Sequence, residues 1–189
     1  MDILIQNCRK MAEWEEMAME RKGIVSLRPW TMEDKEELAK LCSGVDRSYI
    51  RNSLPFPYTE KDAEWWIRMT LDRDGKDGVF RAVCLDGTVV GNISVEQGTD
   101  VYRCGAEIGY MLDRSVWSRG IMTEAAGSIC EEAWRSLDIL RITGRVYEPN
   151  QASRRVLEKN GFELEGLLKR AVDKNGKIYN LCVYGKLRP

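Results

Sequence analysis

Residues 107–126 of the chain are EIGYMLDRSVWSRGIMTEAA, and their pattern changes from strand-like to helix-like within this stretch. An alternating apolar run ends at Leu112, a polar loop follows, and Gly120 stands where helix-forming residues begin. The stretch therefore predicts a strand, a turn and a helix. In that geometry the amides of residues 119–123, aided by the helix N-terminus, can bind a pyrophosphate. An ordinary strand-to-helix turn is the alternative, since the chain has no Walker loop and no GxGxxG pattern.

The segments around this stretch predict a mixed α/β domain. Two β-rich runs, residues 79–84 and 89–95, are joined at Asp86-Gly87, which is a strong hairpin signal. The other predicted strands are 24–28, 106–112, 141–146, 170–174 and 178–186, and the predicted helices begin after Thr31, after Thr59, at Thr123 and at Gln151. An antiparallel meander followed by alternating helix and strand favours a largely antiparallel sheet over a doubly wound parallel one.

The composition excludes several classes of function. The chain has 189 residues, about one domain, and 29 basic against 30 acidic residues give a net charge of -1. This balance argues against a nucleic-acid partner recognised through many phosphate contacts. The chain contains no histidine, which excludes His-dependent triads and imidazole acid/base chemistry.

Cysteine usage and hydropathy indicate a protein of a reducing compartment. The six cysteines form no CxxC pair, so we expect free thiols and no metal site. No run approaches the roughly 20 apolar residues of a membrane span, and no signal-peptide core is present. We therefore expect a cytoplasmic protein with no membrane partner.

Residues 1–23 form a separate unit in this interpretation. Apolar side chains from Cys8 to Ala18 fall on roughly one helical face, which predicts an amphipathic helix. This helix packs on its own domain or makes a dimer contact, so a monomer and a homodimer are both open. Residues 24–189 are expected to form one domain.

A second stretch, RVYEPNQASRRVLEKNGFELEG at residues 145–166, resembles the signature of the GNAT superfamily of N-acetyltransferases. The pattern is most similar to the RimJ/RimL-like ribosomal-protein alanine branch, in which Asn-x-x-Ser opens a helix and Gly-Phe-x-x-Glu-Gly follows. The branch is also similar at residues 27–29, at 57–59 and at 107–110. The resemblance extends from about Ile24 to Leu187.

The resemblance implies a fold, a co-substrate and a reaction. We expect a mostly antiparallel sheet splayed at the acetyl-CoA site, with helices on both faces. An acetyl group would pass from acetyl-CoA to a primary amine by direct attack in a ternary complex, with no metal. The expected acetyl-CoA contacts are Met111, Leu112, Trp117, Ser118, Arg119, Gly120, Ile121, Met122, Thr123, Asn150 and Ser153, with amides near Met111 polarising the thioester.

Two residues are the expected catalysts. Glu107 is the candidate base that takes the amine proton, directly or through water, and Asp173 or a water chain is the alternative. Some members of the branch carry a glutamate where Val172 stands here. Ser153 is the candidate acid for the departing thiolate. Its structural alternative is capping of the helix, a role that needs Asn150 more than Ser153.

The sequence carries fewer signals for the acceptor amine than for acetyl-CoA. The resemblance places Phe56, Tyr58 and Trp66 on the acceptor side, and only one of Trp65 and Trp66 can face it. We expect a protein or peptide N-terminus as acceptor. A small amine such as a polyamine or an aminoglycoside, for which acidic residues 60–64 could provide a cleft, and a non-catalytic acyl-CoA-binding module are the alternatives.

Overall fold

The computed structural model describes residues 23–189, so the predicted N-terminal helix lies outside the described residues. These residues form a seven-stranded sheet and four α-helices. The strands are β1 (Val25–Arg28), β2 (Gly78–Leu85), β3 (Thr88–Gln97), β4 (Gly105–Leu112), β5 (Arg141–Tyr147), β6 (Glu163–Lys174) and β7 (Lys177–Leu187). The helices are α1 (Lys35–Gly44), α2 (Glu60–Arg73), α3 (Ile121–Ser136) and α4 (Gln151–Lys159).

The sheet is mostly antiparallel, as the sequence predicts. Its strand order is β1-β2-β3-β4-β5-β7-β6, and β4 and β5 form the parallel pair. That pair runs only from Gly105↔Arg141 to Ile108↔Gly144. Beyond it, β4 continues against β3 alone and β5 continues against β7 alone. The sheet is therefore splayed at the predicted place.

Helices cover both faces of the sheet because strand side chains alternate between two cores. On β2, Val79 and Val83 belong to a core with α3 and α4, whereas Phe80 and Cys84 belong to a second core with α1 and α2. Burial of the apolar surface on both faces supplies the main driving force for this layered arrangement. The mixed α/β fold with helices on both faces is confirmed.

The chief departure from the predicted elements is β6. The sequence predicts a strand only from Arg170, but β6 begins at Glu163 and pairs with β7 along its length. Its register shifts twice, between Leu164 and Gly166 and between Leu168 and Val172. β6 is an edge strand that is exposed on both faces for most of its length. It therefore lacks the period-two alternation that would have revealed it.

Candidate active site

The splay between β4 and β5 opens into a cavity of about 450 Å³. Both strands contribute to its walls, and the first turn of α4 and the loop that follows α1 close its sides. Its lining residues include Arg51, Trp66, Glu107, Tyr110, Met111, Arg145, Asn150 and Ser153. The cavity thus joins five predicted site residues from separate elements, namely Trp66, Glu107, Met111, Asn150 and Ser153. The predicted residues Leu112 and 117–123 are not part of its lining.

The backbone of β4 directs alternate amides into the splay. The Asp113 N–H donates to the Val90 carbonyl at 2.8 Å, and the Gly105 carbonyl accepts from Gly98 at 2.8 Å. Since the β3–β4 register is continuous, the odd-numbered positions between them also bond to β3. The N–H of Met111 therefore belongs to the β3 ladder.

The amides that face the splay are those of Tyr110 and Leu112. This is the even-numbered set, whose partners on β5 end at Ile108. The Leu112 carbonyl points the same way and accepts from Nε1 of Trp117 at 2.9 Å. The side chain of Met111 lines the cavity from the other face. A carbonyl bound in the splay would thus meet the amides on either side of Met111, rather than that of Met111 itself.

The turn into α3 has the backbone of an anion site. Ser118 and Gly120 both have positive φ, 62° and 76°, and Gly120 is the residue that precedes the helix. The side chains of Ile121 and Met122 are buried in the core, so these residues offer only their amides to a ligand. Unpaired amides at a helix start, beside a residue without Cβ, can receive a phosphate group.

Ser153 and Tyr110 form a hydroxyl pair on the α3/α4 face of the sheet. Their side-chain oxygens lie 2.8 Å apart, and the Tyr110 hydroxyl also donates to the Ser153 carbonyl at 3.0 Å. Burial raises the pKa of Tyr110 to about 12, partly opposed by its hydrogen bond to Ser153. Helix capping falls to Asn150, whose Oδ1 accepts from the Ser153 N–H at 3.2 Å. The Ser153 hydroxyl is therefore not needed as a cap.

Glu107 lies on the α1/α2 face, between two arginines. Nη2 of Arg51 donates to Oε1 of Glu107, and Nε of Arg145 lies 3.6 Å from Oε2. Both oxygens of the candidate base are thus engaged. The alternative base, Asp173, does not line the cavity; its Oδ1 accepts from the Gly176 N–H at 2.7 Å in the β6–β7 turn.

Only one of the three predicted acceptor-side aromatics reaches the cavity. Trp66 lines it, with its ring packed edge-on to Trp30 at 5.6 Å, while Trp65 is exposed. Tyr58 is buried in the core between α1 and α2, and Phe56 is exposed beneath the Arg47 guanidinium. The resemblance predicted the places of Phe56 and Tyr58, and the sequence around them carries no signal that the first is exposed and the second is buried in a core.

Several residues of the cavity were not predicted from the sequence. Asn92, Ser94 and Glu96 on β3 line it, as do Arg51 and Arg145. The first three alternate with buried Ile93 and Val95, so the alternation along β3 could have predicted their common face. No comparable signal exists for Arg51, which lies in a loop 56 residues from Glu107.

A splayed, mostly antiparallel sheet with a strand–turn–helix beside the splay is the arrangement that the sequence predicts for an acetyl-CoA-dependent acetyltransferase. The profile of the acetyltransferase (GNAT) domain matches residues 25–163. The chain therefore belongs to the GNAT family of acetyltransferases, and it is an N-acetyltransferase, as its relatives are. Acetyl-CoA is the acetyl donor of this family.

The chain is also similar to individual acetyltransferases. The chain is 36% identical to the probable N-acetyltransferase YjcK of Bacillus subtilis over 67% of its length and 68% of that protein. It is 33% identical to the ribosomal-protein-serine acetyltransferase of Escherichia coli, over 75% and 81% of the two chains. RimL, a ribosomal alpha-N-protein acetyltransferase solved with coenzyme A, has the same fold at a TM-score of 0.75 and 21% identity, over 86% and 93% of the chains. In the described part of the chain, no helix is long and apolar enough to cross a membrane.

Proposed function

We propose that this protein acetylates the α-amine of a protein or peptide N-terminus. The observation that carries the proposal is that the splay opens to both faces of the sheet, with Ser153 on one face and Glu107 on the other. A donor and an acceptor can therefore meet within it from opposite sides, as direct transfer requires. The names of the ribosomal-protein relatives favour a protein N-terminus.

The donor side has a set of residues that fit acetyl-CoA. The amides of residues 119–123 would hold its pyrophosphate, and Asn150 would contact the pantetheine arm. The Tyr110 and Leu112 amides face the place where the thioester carbonyl would lie. Donors fixed in advance at that place stabilise the developing oxyanion, and loss of one such donor typically costs about 10²- to 10³-fold in turnover.

Proton transfer is assigned to the two polar residues. An α-amine, with a reference pKa of about 8, needs less help to lose its proton than a lysine amine at about 10.4. Glu107 takes that proton through intervening waters, because its carboxylate lies on the acceptor face and does not reach the amine directly. Ser153 donates its hydroxyl hydrogen to the leaving thiolate and recovers a proton from water, so that no alkoxide remains on Ser153. Tyr110 remains a neutral phenol because its pKa is raised, so it orients Ser153 rather than giving up a net proton.

The structure gives little support to the polyamine alternative. The acidic residues at the start of α2 have local partners: Glu60 lies 3.6 Å from Lys35, Asp62 accepts from Thr59 and Glu64 from Arg68. None of the three lines the cavity. They are explained as the solvated, capped start of a helix.

An acceptor panel tests the proposal. Thiol release from acetyl-CoA is measured with N-terminal peptides, the same peptides blocked at the N-terminus, lysine side-chain peptides, spermidine and an aminoglycoside. We expect transfer to free N-termini and none to blocked ones, with mass spectrometry locating the acetyl group on the α-nitrogen. Preferential transfer to spermidine or the aminoglycoside would contradict the proposed acceptor. Binding of acetyl-CoA without transfer to any amine would favour the non-catalytic module.

A further inference from the structure

The cavity carries more positive than negative charge around Glu107, on the side proposed for the acceptor. We call this part of the cavity, formed by Arg51, Glu107 and Arg145, its mouth. The side chains of Arg51 and Arg145 are 73% and 56% exposed, and that of Glu107 is 33% exposed. In residues 23–189, Glu107 is the one ion-pair partner of each arginine. A guanidinium has five N–H donors, so most of the donors of this pair face solvent at the cavity. Glu96, the other carboxylate of the cavity, is balanced by Arg73 at 2.9 Å.

The position of Arg51 is fixed by a buried lysine. Nζ of Lys174 donates to the Ile50 carbonyl and to Oδ1 of Asn52, both at 2.6 Å. These residues flank Arg51, so β6 holds the loop at the point from which Arg51 projects. Lys174 is among the few buried charged residues of the described chain. Burial of an ammonium group without a carboxylate is costly, and here the hydrogen bonds that it makes keep Arg51 at the mouth.

The spacing along β4 sets how far an acceptor group must reach. Glu107 stands three residues before Tyr110, which is about 10 Å at roughly 3.4 Å per residue. The carboxylate of a free α-amino acid lies only about 3 Å from its amine. A peptide in extended form covers about 10 Å in about three residues. Tyr49 and Tyr147, packed edge-on at 6.1 Å, form a wall of the cavity beside this path.

From these contacts we propose that Arg51 and Arg145 select N-terminal peptides with an acidic side chain at the second or third residue. The inference rests on the proposed function and names the acceptor class within it. The amine lies in the splay near Tyr110, and the carboxylate binds the exposed guanidinium donors beside Glu107. Arg51 and Arg145 then determine acceptor specificity and take no part in the transfer of protons.

The test uses C-terminally amidated peptides of sequence Ala-Ala-X-Ala, with X as Asp, Asn or Lys, so that the X side chain carries the only difference in charge. For the wild type we expect kcat/KM for the Asp peptide to exceed that for the Asn peptide by about tenfold, through KM, as for a charged hydrogen bond. Arg51→Ala and Arg145→Ala should each reduce this ratio, and Arg51→Glu should shift the preference towards the Lys peptide. The ratio within one variant cancels any general loss of activity. Arg135→Ala, an exposed change on α3, is the matched control and should leave the ratio unchanged.

Two further arms separate the possible outcomes. Free alanine should be no better than alaninamide, because its carboxylate is too close to its amine to reach the arginines. Equal rates for the Asp and Asn peptides in the wild type, or the same ratio in the Arg51→Ala, Arg145→Ala double variant, would refute the inference and leave the proposed function standing. Transfer to small amines with none to any peptide would refute both.

Discussion

Replacement of Gly120 by aspartate is the sharpest test of the anion-binding turn. Gly120 has φ 76° and ψ 3° and precedes α3. Asparagine and aspartate both tolerate this left-handed region better than other residues with a side chain. Gly120→Asn and Gly120→Asp therefore introduce the same bulk and similar strain, and they differ by one negative charge at the place proposed for the pyrophosphate.

The size of the effect follows from the charge alone. One negative charge about 4–8 Å from a phosphate charge costs about 2–4 kcal/mol at an effective dielectric constant of about 20. This corresponds to roughly 30- to 1,000-fold weaker binding of acetyl-CoA to Gly120→Asp than to Gly120→Asn. The cost of the left-handed backbone, about 1–2 kcal/mol, is common to both variants and cancels in the comparison.

Calorimetric titration with acetyl-CoA measures the difference, and S-acetylpantetheine, which lacks the pyrophosphate, is the matched ligand. We expect the two variants to differ for acetyl-CoA, to differ less at high salt, and to agree for S-acetylpantetheine. Gly75→Asp is the control for folding, since Gly75 lies between α2 and β2 with φ 72°, and a Cβ atom added there would point into open space. Equal acetyl-CoA affinity in Gly120→Asp, Gly120→Asn and the wild type would refute the assignment of this turn.

Three other changes test separate parts of the molecule. Ser153→Ala should lower kcat by about 10- to 100-fold and leave the affinity for acetyl-CoA nearly intact. The loss is modest because a thiolate with a pKa of about 8.5 can leave without full protonation. An unchanged kcat would reduce Ser153 to a structural residue. Glu107→Gln should lower the rate near neutral pH by roughly 10² and recover partly at high pH, where free amine is abundant; a rate profile equal to that of the wild type would exclude Glu107 as the base. The Arg28 guanidinium donates to the two carboxylate oxygens of Asp34 at 2.6 and 2.7 Å and so lowers the pKa of Asp34. The ionised carboxylate therefore stabilises the fold at pH values above its unfolded pKa of about 3.9. This contribution is lost as the pH falls through the lower pKa of the folded state. Urea unfolding from about pH 7 to about pH 3 should therefore show a smaller decline in Asp34→Asn than in the wild type, and parallel declines would contradict the linkage.

Much of the fold was predictable because its signals are local. The hairpin at Asp86-Gly87 occurs as predicted, with both residues at positive φ. The helix that starts after Thr59 does so through a reciprocal cap with Asp62. The family was predictable for the same reason, because residues 145–166 carry its signature within one continuous stretch. Only the second part of the edge strand β6, from Arg170, was predicted. Most of the strand is exposed, so burial does not impose an alternation of apolar and polar residues on it.

The candidate site also has a part that local sequence signals predict and a part that they do not. The strand–turn–helix with Gly120 and the Asn150 cap were predictable from residue type and spacing. The candidates Glu107 and Ser153 were predictable from the family resemblance that the same stretches carry. Three features became visible only in the folded molecule: the contact of Tyr110 with Ser153, the contact of Arg51 with Glu107, and the direction of the Tyr110 and Leu112 amides into the splay. The physical reason is that such contacts join residues 43 and 56 positions apart, or depend on which neighbouring strand takes each amide. Register and chain path set them, and both are fixed by packing of the whole sheet against its helices.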